Sequence, residues 1–403
     1  MIISILRVVL LLLAVVIAAG LAYLYLLLVV GRPRSRGDTV CGKETAFRFA
    51  IAIPAHNEAG VIGTTVRQLR RMTYPPDRFD VHVVADHCSD DTAAVAQAAG
   101  AEVHVRNDGP RGRKGYAVDW LIQRLLADPR GYDAIAIFDA DSRVDAGFLM
   151  EVVPYLAAGA QVVQGRHLIA NPDDGLFAAL ADADMRLNNR IRNQAKENLG
   201  LSARLMGDAM VFRREVLARY PWIGAGSLTE DRDYGIYLVT QGVRIHFAPK
   251  AVSVGQAVTR WKDATPQRLR WYGGAFHLQR RYVRALASRV VHQHDLDALD
   301  KLLELTLPPF SLQVLGSVLL LIAQALLSWL GVQPVIWPSI SMGLVALAGL
   351  FPFWGLAATG APRVDYSALL VGPFYVLWRA WIALRVRLHA GRIAWVRTRR
   401  VGD

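Results

Sequence analysis

Between Arg7 and Arg32 the chain carries no charged residue, and "VVLLLLAVVIAAGLAYLYLLLVV" (8–30) is longer than the roughly 20 apolar residues that cross a bilayer. A cleaved secretory signal has an apolar core of only about 7 to 15 residues. The sequence therefore predicts a membrane span over residues 1–31. No charge occurs between Glu304 and Arg363 either, and "GVQPVIWP" (331–338) supplies a Gly/Pro turn, so residues 304–360 are expected to cross twice. Buried core helices would be shorter. The next apolar stretch differs, because its uncharged run ends at Trp378. A central Arg379 would cost about 2.5 to 3.5 kcal/mol on insertion scales. Trp, Tyr and Arg together suit an interfacial helix, so residues 361–403 are expected to be one, ending in a basic tail.

Charge sets the orientation. Arg32, Arg34 and Arg36 abut the first span, and Arg392, Arg397, Arg399 and Arg400 crowd the tail. Cytoplasmic segments carry such an excess, which predicts a multi-pass protein of the inner membrane with residues 31–304 in the cytoplasm. The net charge of +12 comes from 46 Lys and Arg against 34 Asp and Glu. Its clustering beside the spans points to anionic lipid headgroups and a phosphorylated substrate, with no nucleic-acid partner. Cys41 and Cys88 lack metal-ligand spacing and read as structural.

Between the spans, short β-rich runs alternate with helical ones. "FRFAIAIP" (47–54), "VHVVA" (81–85), "AEVHV" (101–105) and "AIAIF" (134–138) read as strands. "VIGTTVRQLRRM", "DDTAAVAQAAG" and "GYAVDWLIQRLLA" read as helices. The alternation predicts an α/β domain over 32–260 with a mainly parallel sheet. Ligands of such sheets sit beyond the carboxyl ends of the strands. That rim carries His56, Asn57 and Glu58, then Asp86, then the loop "RNDGPRGRKG", then Asp139 and Asp141.

In an extended segment Asp139 and Asp141 would share one side. Paired carboxylates suit a hard cation, Mg²⁺ or Mn²⁺, bridging substrate phosphates, although a lone Asp-x-Asp also marks ordinary loops. Arg111, Arg113 and Lys114, with three glycines before a helix, suit phosphate or a solvated basic turn. In "GSLTEDRDYGIYL" (226–238), Glu230, Asp231 and Asp233 read as the start of a helix, or as the source of a general base. In "TPQRLRWYGG" (265–274), Thr265 is the expected N-cap and Pro266 the first helical residue. Gln267, Arg270 and Trp271 then share a face suited to a diphosphate beside a sugar ring. Amphipathic helices over 261–303 are expected to lie on the membrane.

In this order "IPAHNE", "VVADHCSDDT", "RKGYA", "DAD", "TED" and "QRLRW" resemble the membrane-integrated, processive-type branch of family-two glycosyltransferases, the group of cellulose, chitin and hyaluronan synthases. The resemblance covers residues 45–275. It implies a GT-A fold and inverting sugar transfer from a nucleotide diphosphate, a UDP-sugar foremost, to a hydroxyl. By it, Glu58 and Asp86 line the nucleoside pocket, Lys114 serves the phosphates, Asp139 contacts the donor, and Asp139 with Asp141 holds the metal. Asp231 is the implied base. Gln267 and Arg270 hold the diphosphate, and Trp271 with Glu230 and Asp208 faces the acceptor. Two features depart from the family: Ala85 precedes Asp86 where many members have a second aspartate, and Asp208 stands where an uncharged residue is expected.

The resemblance favours a growing polysaccharide as acceptor. Few spans leave room for a single transfer to a lipid acceptor, and a non-catalytic nucleotide-sugar-binding membrane subunit is the third reading.

Overall fold

The computed structural model describes residues 2–32 and 47–388; Arg34, Arg36, Cys41, Arg392, Arg397, Arg399 and Arg400 lie outside them. Helix α1 (Ile2–Val30) matches the uncharged run. Strand β1 (Phe49–Ala55) follows, buried on both faces. Its alternation places Ile51 and Ile53 in one core layer and Ala50 and Ala52 in the other.

Helix α2 (Ala59–Leu69), β2 (Phe79–Asp86), α3 (Thr92–Ala98), β3 (Glu102–Arg106), α4 (Lys114–Ala127) and β4 (Ala134–Ile137) come next, where the sequence placed them. Strand β1 pairs in parallel with β2 and β4, and β2 with β3. Beyond Asp139 the chain departs from the mainly parallel sheet expected. Strand β5 (Arg143–Val144), α5 (Phe148–Ala157), β6 (Val162–Ile169), α6 (Leu176–Met185), a π-helical segment (Arg186–Asn193) and α7 (Gln194–Leu199) lead to β7 (Met210–Arg213). Strand β7 runs antiparallel between β4 and β6. After α8 (Arg214–Arg219) and α9 (Glu230–Thr240), β8 (Ile245–Gly255) pairs parallel with β6 and antiparallel with β5. The mixed order is β3-β2-β1-β4-β7-β6-β8-β5. A four-residue strand such as β7 carries no local signal of direction; the long excursion before it decides that.

The strand order reverses at β1, which lies between β2 and β4. An open sheet leaves a crevice at such a point, beyond the carboxyl ends of the strands. His56 to Glu58 and Asp139 emerge there.

Helix α10 (Trp261–Gln293) begins four residues before the expected cap and contains Pro266. The Thr265 hydroxyl turns back to the Trp261 carbonyl at 2.8 Å. Buried Ala264 packs against Trp378 and Ile382, so tertiary contacts hold the turn that Pro266 was expected to begin. Helices α11 (Leu296–Thr306), α12 (Phe310–Trp329), α13 (Ile336–Thr359), α14 (Arg363–Ala368) and α15 (Gly372–Leu388) complete the chain.

Four stretches are helical, long and apolar enough to cross a membrane: Ile3–Val30, Phe310–Trp329, Ile336–Thr359 and Arg363–Leu388. The first three are the expected spans. The fourth covers residues expected to lie at the interface, and its Arg379 has protein partners. Its guanidinium donates to the Tyr272 hydroxyl at 2.9 Å and the Tyr375 hydroxyl at 3.0 Å, with Asp184 at 3.9 Å. The insertion cost that laid this helix on the surface assumes an arginine in lipid.

Candidate active site

The first rim loops are tied to each other before they meet any ligand. The Asn57 side chain accepts from the Ser89 N–H at 2.8 Å, and the Glu58 N–H donates to the Thr92 hydroxyl at 2.8 Å. His56 Nδ1 lies 2.6 Å from the Asp86 carbonyl. Cys88 is wedged between these loops, receiving the Asn57 N–H at 3.4 Å, which fits a structural role. Asp86 is buried and accepts from Arg106 and, at 2.8 Å, from His87. Arg106 also donates to the Pro110 carbonyl at 2.8 Å. Asp86 thus anchors the glycine-rich loop through Arg106 as well as lining the cavity.

Asp139 and Asp141 do not lie in an extended segment. They sit on a turn closed by the Ser142 N–H on the Asp139 carbonyl at 3.2 Å, and the turn, not strand alternation, brings both to one wall. Lys114, first residue of α4, donates to the Asp139 carboxylate and to the Gly207 carbonyl. Burial opposes its charge, but Asp139 and Glu230 outweigh that and hold its pKa above the ordinary lysine value.

Asp208, expected to face the acceptor, lines the cavity with its carboxylate engaged by protein groups. It is 2% exposed. One carboxylate oxygen accepts the Asp139 N–H at 3.0 Å; the other lies 2.8 Å from His167 Nδ1 and 2.6 Å from the Ser253 hydroxyl. Burial alone would raise its pKa. The bonds from His167, Ser253 and Asp139 outweigh burial and hold it well below the usual carboxylate range. Asp208 is a positioning residue beneath the Asp139 turn. His167, which the sequence reading missed, is fixed by it and lines the same cavity.

The acidic segment closes the other wall. Helix α9 starts at Glu230, but the Thr229 hydroxyl makes no cap hydrogen bond. Asp233 is structural, accepting from Tyr282 at 2.6 Å and Arg281 at 3.1 Å. Glu230 and Asp231 face the cavity. Burial, then the Asp231 charge, pushes Glu230 up to about 7; burial likewise raises Asp231.

Helix α10 seats itself on this wall at Gly274. A Cβ there would lie 2.4 Å from the Thr229 hydroxyl oxygen, closer than any side chain tolerates. Gln267, Arg270 and Trp271 then line the cavity together, and Arg268 stacks over the Trp271 ring at 4.3 Å.

Each residue given a role by the resemblance borders one cavity of about 700 Å³, whereas Asn57, Arg111 and Asp233 do not. The cavity also reaches residues the sequence did not single out, among them Asp184, Arg192, Arg204 and Arg232. No local motif marks them, since their partners lie far away in the chain. For a cation, the carboxylates of Asp139 and Asp141 offer the all-oxygen donor set that Mg²⁺ or Mn²⁺ prefers, with phosphate oxygens to complete it. The residues fit such an ion. Among the described residues, the group with three ligand atoms within 4.8 Å is elsewhere, at His82, Glu102 and His104. There the imidazoles hydrogen bond to each other at 3.2 Å and Arg130 takes Glu102 at 2.8 Å, so the cluster braces the sheet edge.

Comparison with known proteins agrees with this geometry. The family described as "Glycosyltransferase like family 2" matches residues 47–274. A beta-monoglucosyldiacylglycerol synthase of Synechocystis sp. is 28% identical over 252 residues, 60% of this chain and 50% of that protein. A probable glucomannan 4-beta-mannosyltransferase of Oryza sativa is 22% identical over 246 residues, 59% of this chain and 45% of that one. The chain thus spans about half the length of these curated relatives. Among solved structures, the mannosyltransferase PcManGT from Pyrobaculum calidifontis, in complex with GDP-Man and Mn²⁺, superposes with a TM-score of 0.58 at 16% identity. That match covers 89% of this chain and 97% of the other, and at this identity it speaks for the fold alone. With the family match running over more than half of the 403 residues, the chain belongs to glycosyltransferase-like family 2 and carries its GT-A fold.

Proposed function

We propose that this protein transfers a sugar, with inversion, from a nucleotide-diphosphate donor to the hydroxyl of a lipid-borne acceptor at the cytoplasmic face of the membrane. The observation that carries the reading is the reach of the cavity. The cavity that holds Glu58, Asp86, Lys114, Asp139 and Asp141 is also lined by Tyr23 and Leu24 of α1, Phe310 and Leu312 of α12, and Val386 of α15. Tyr23 is seven residues before the end of α1, roughly 10 Å along the axis at 1.5 Å per residue. An acceptor resting in the bilayer reaches such a wall without leaving the lipid.

In the transfer, Glu58 and Asp86 border the nucleoside, and Lys114, Gln267 and Arg270 receive the diphosphate. Asp139 and Asp141 would hold Mg²⁺ or Mn²⁺, which when bound neutralises charge building on the leaving diphosphate. Asp231 takes the proton of the attacking hydroxyl, and Glu230 beside it tunes that carboxylate. One in-line displacement needs one base and no second carboxylate as nucleophile.

A growing polysaccharide is the second reading. It is supported by Trp271, 36% exposed on the cavity wall, as a platform for a sugar ring. Product length separates the two. Purified protein incubated with nucleotide-sugars and Mn²⁺ or Mg²⁺ should give a single glycolipid by mass spectrometry; a ladder of sugars would establish the polymer reading instead, and bound donor without turnover would leave a non-catalytic subunit.

A further inference from the structure

Among the described residues, three arginines that line the cavity make no ion pair within 4.0 Å. Arg192 lies in the π-helical segment, Arg204 in the loop before β7, and Arg232 one residue after Asp231. All three line the cavity. Asn193 joins the first two, accepting the Arg204 N–H at 2.9 Å and donating to the Arg204 carbonyl at 3.2 Å. π-Helical turns are rare and concentrate at functional sites. This one sets Arg192 beside Arg204.

Neighbouring carboxylates are already engaged. Asp184 lies between Arg268 at 3.8 Å and Arg379 at 3.9 Å. Asp300 and Glu304 hold Lys196 at 2.8 and 2.7 Å, and Lys301 at 3.3 and 3.5 Å. Asp231, the proposed base, is shared with Lys114, Arg204 and Arg270. Among the described residues, none of the three arginines has a carboxylate oxygen within 4.0 Å. Burial, then Arg204 beside it, pulls Arg232 down to about 9, and the same two causes lower Arg192. The three are half-buried, and with the nearby carboxylates shared among other cations their like charges favour an anion between them.

We infer that Arg192, Arg204 and Arg232 bind a phosphate group carried by the acceptor lipid, next to the hydroxyl that receives the sugar. The inference rests on the lipid-acceptor reading and narrows it from neutral glycerides to phospholipids with a free hydroxyl. Guanidinium groups match phosphate oxygens in bidentate geometry. Leu24, Met185, Phe310 and Leu312 on the same wall offer an apolar path for the acyl chains. The phosphate is held and not consumed; the bond forms at the hydroxyl near Asp231, and the nucleoside diphosphate leaves.

The test uses the full chain in a neutral detergent. Phosphatidylglycerol, which has a phosphate and free hydroxyls, is compared with diacylglycerol, which has only the hydroxyl, and with inorganic phosphate, by native mass spectrometry. Phosphatidylglycerol is expected to bind about tenfold or more tightly than diacylglycerol. Arg192→Gln and Arg204→Gln should each remove about a factor of ten, leaving nucleoside-diphosphate binding unchanged. Arg219→Gln, an exposed cation on α8, should change nothing. The melting temperature of the two cavity variants should stay level or rise, since each removes one of several neighbouring like charges. Equal binding of the two lipids, indifferent to Arg192 and Arg204, would overturn the phosphate site and leave the lipid-acceptor reading standing. Inorganic phosphate binding as tightly as the phospholipid would also overturn it, assigning the cluster to a free anion. Failure of both lipids to bind, with a ladder of products, would sink the parent reading.

Discussion

The carboxylate of Asp208 accepts the backbone N–H of Asp139 at 3.0 Å. A buried charge 69 residues away thereby fixes the turn that presents Asp139 and Asp141, and its other oxygen fixes His167. The expectation for Asp208→Asn follows from that bond. The amide keeps the shape but loses the charge that His167 and Ser253 answer. Residues that orient ligands in this way typically control activity by about 10- to 100-fold. We expect a loss in that range, a rise in the metal concentration giving half-maximal rate, and an intact fold by circular dichroism. An unchanged metal requirement would detach Asp208 from the turn.

Lys114 joins the Asp139 carboxylate to the Gly207 carbonyl. Lys114→Met removes a fixed cation facing the leaving diphosphate, and loss of one such group costs about 10²- to 10³-fold in rate. The donor dissociation constant, measured by calorimetry, should rise as well. Wild-type donor affinity and rate in this variant would place the phosphates elsewhere.

The pH profile should carry the signature of the Glu230 and Asp231 pair. Glu230 is pushed up to about 7 by burial and then by the Asp231 charge. If the pair must lose its protons for catalysis, kcat/KM should climb through an apparent pKa near that value, read as a property of the pair. Glu230→Gln removes a negative neighbour, so the limb should move to lower pH; Asp231→Asn should abolish turnover. For stability the sign is reversed. A carboxyl whose folded pKa is raised contributes fully below its ordinary value near 4.5, and the contribution is lost as pH rises to about 7. The Glu230→Gln protein should therefore lose less stability than wild type between those two pH values in urea titrations.

Chelation gives the next test. Excess chelator should stop turnover, and Mg²⁺ or Mn²⁺ should restore it, because the oxygen donors of Asp139 and Asp141 suit either ion. Asp141→Asn should raise the metal concentration needed for half-maximal rate. Full activity in chelator would remove the metal role from both aspartates.

At Gly274 a methyl group would meet the Thr229 hydroxyl oxygen at 2.4 Å. Gly274→Ala should force α10 away from the acidic wall, costing about 1 to 3 kcal/mol of stability and lowering kcat by displacing Trp271. Gly60→Ala, where a Cβ meets nothing within 4 Å, is the control and should be neutral. Equal behaviour of the two would show that the approach of α10 is not tight.

Much of this architecture is written locally. Uncharged runs longer than a bilayer is thick can be read without knowing their neighbours, and α1, α12 and α13 stand where those runs do. The alternation up to Phe138 fixes four strands and the loops that follow them, because apolar periodicity is set by residues a few positions apart. The rim residues Glu58, Asp86, Lys114, Asp139 and Asp141 were legible for that reason.

What the tertiary structure decided depends on partners brought together from distant segments. The antiparallel β7, the bond from Asp208 that holds the Asp139 turn, the Tyr272 and Asp184 contacts of Arg379 and the engaged carboxylate of Asp208 all come from contacts across tens to hundreds of residues. Whether an arginine is paired cannot be read from the residues beside it in the chain. Arg268 and Arg379 share Asp184, while among the described residues Arg192, Arg204 and Arg232 have no carboxylate oxygen within 4.0 Å. Charge balance is a property of the space around a side chain, and folding alone creates that space.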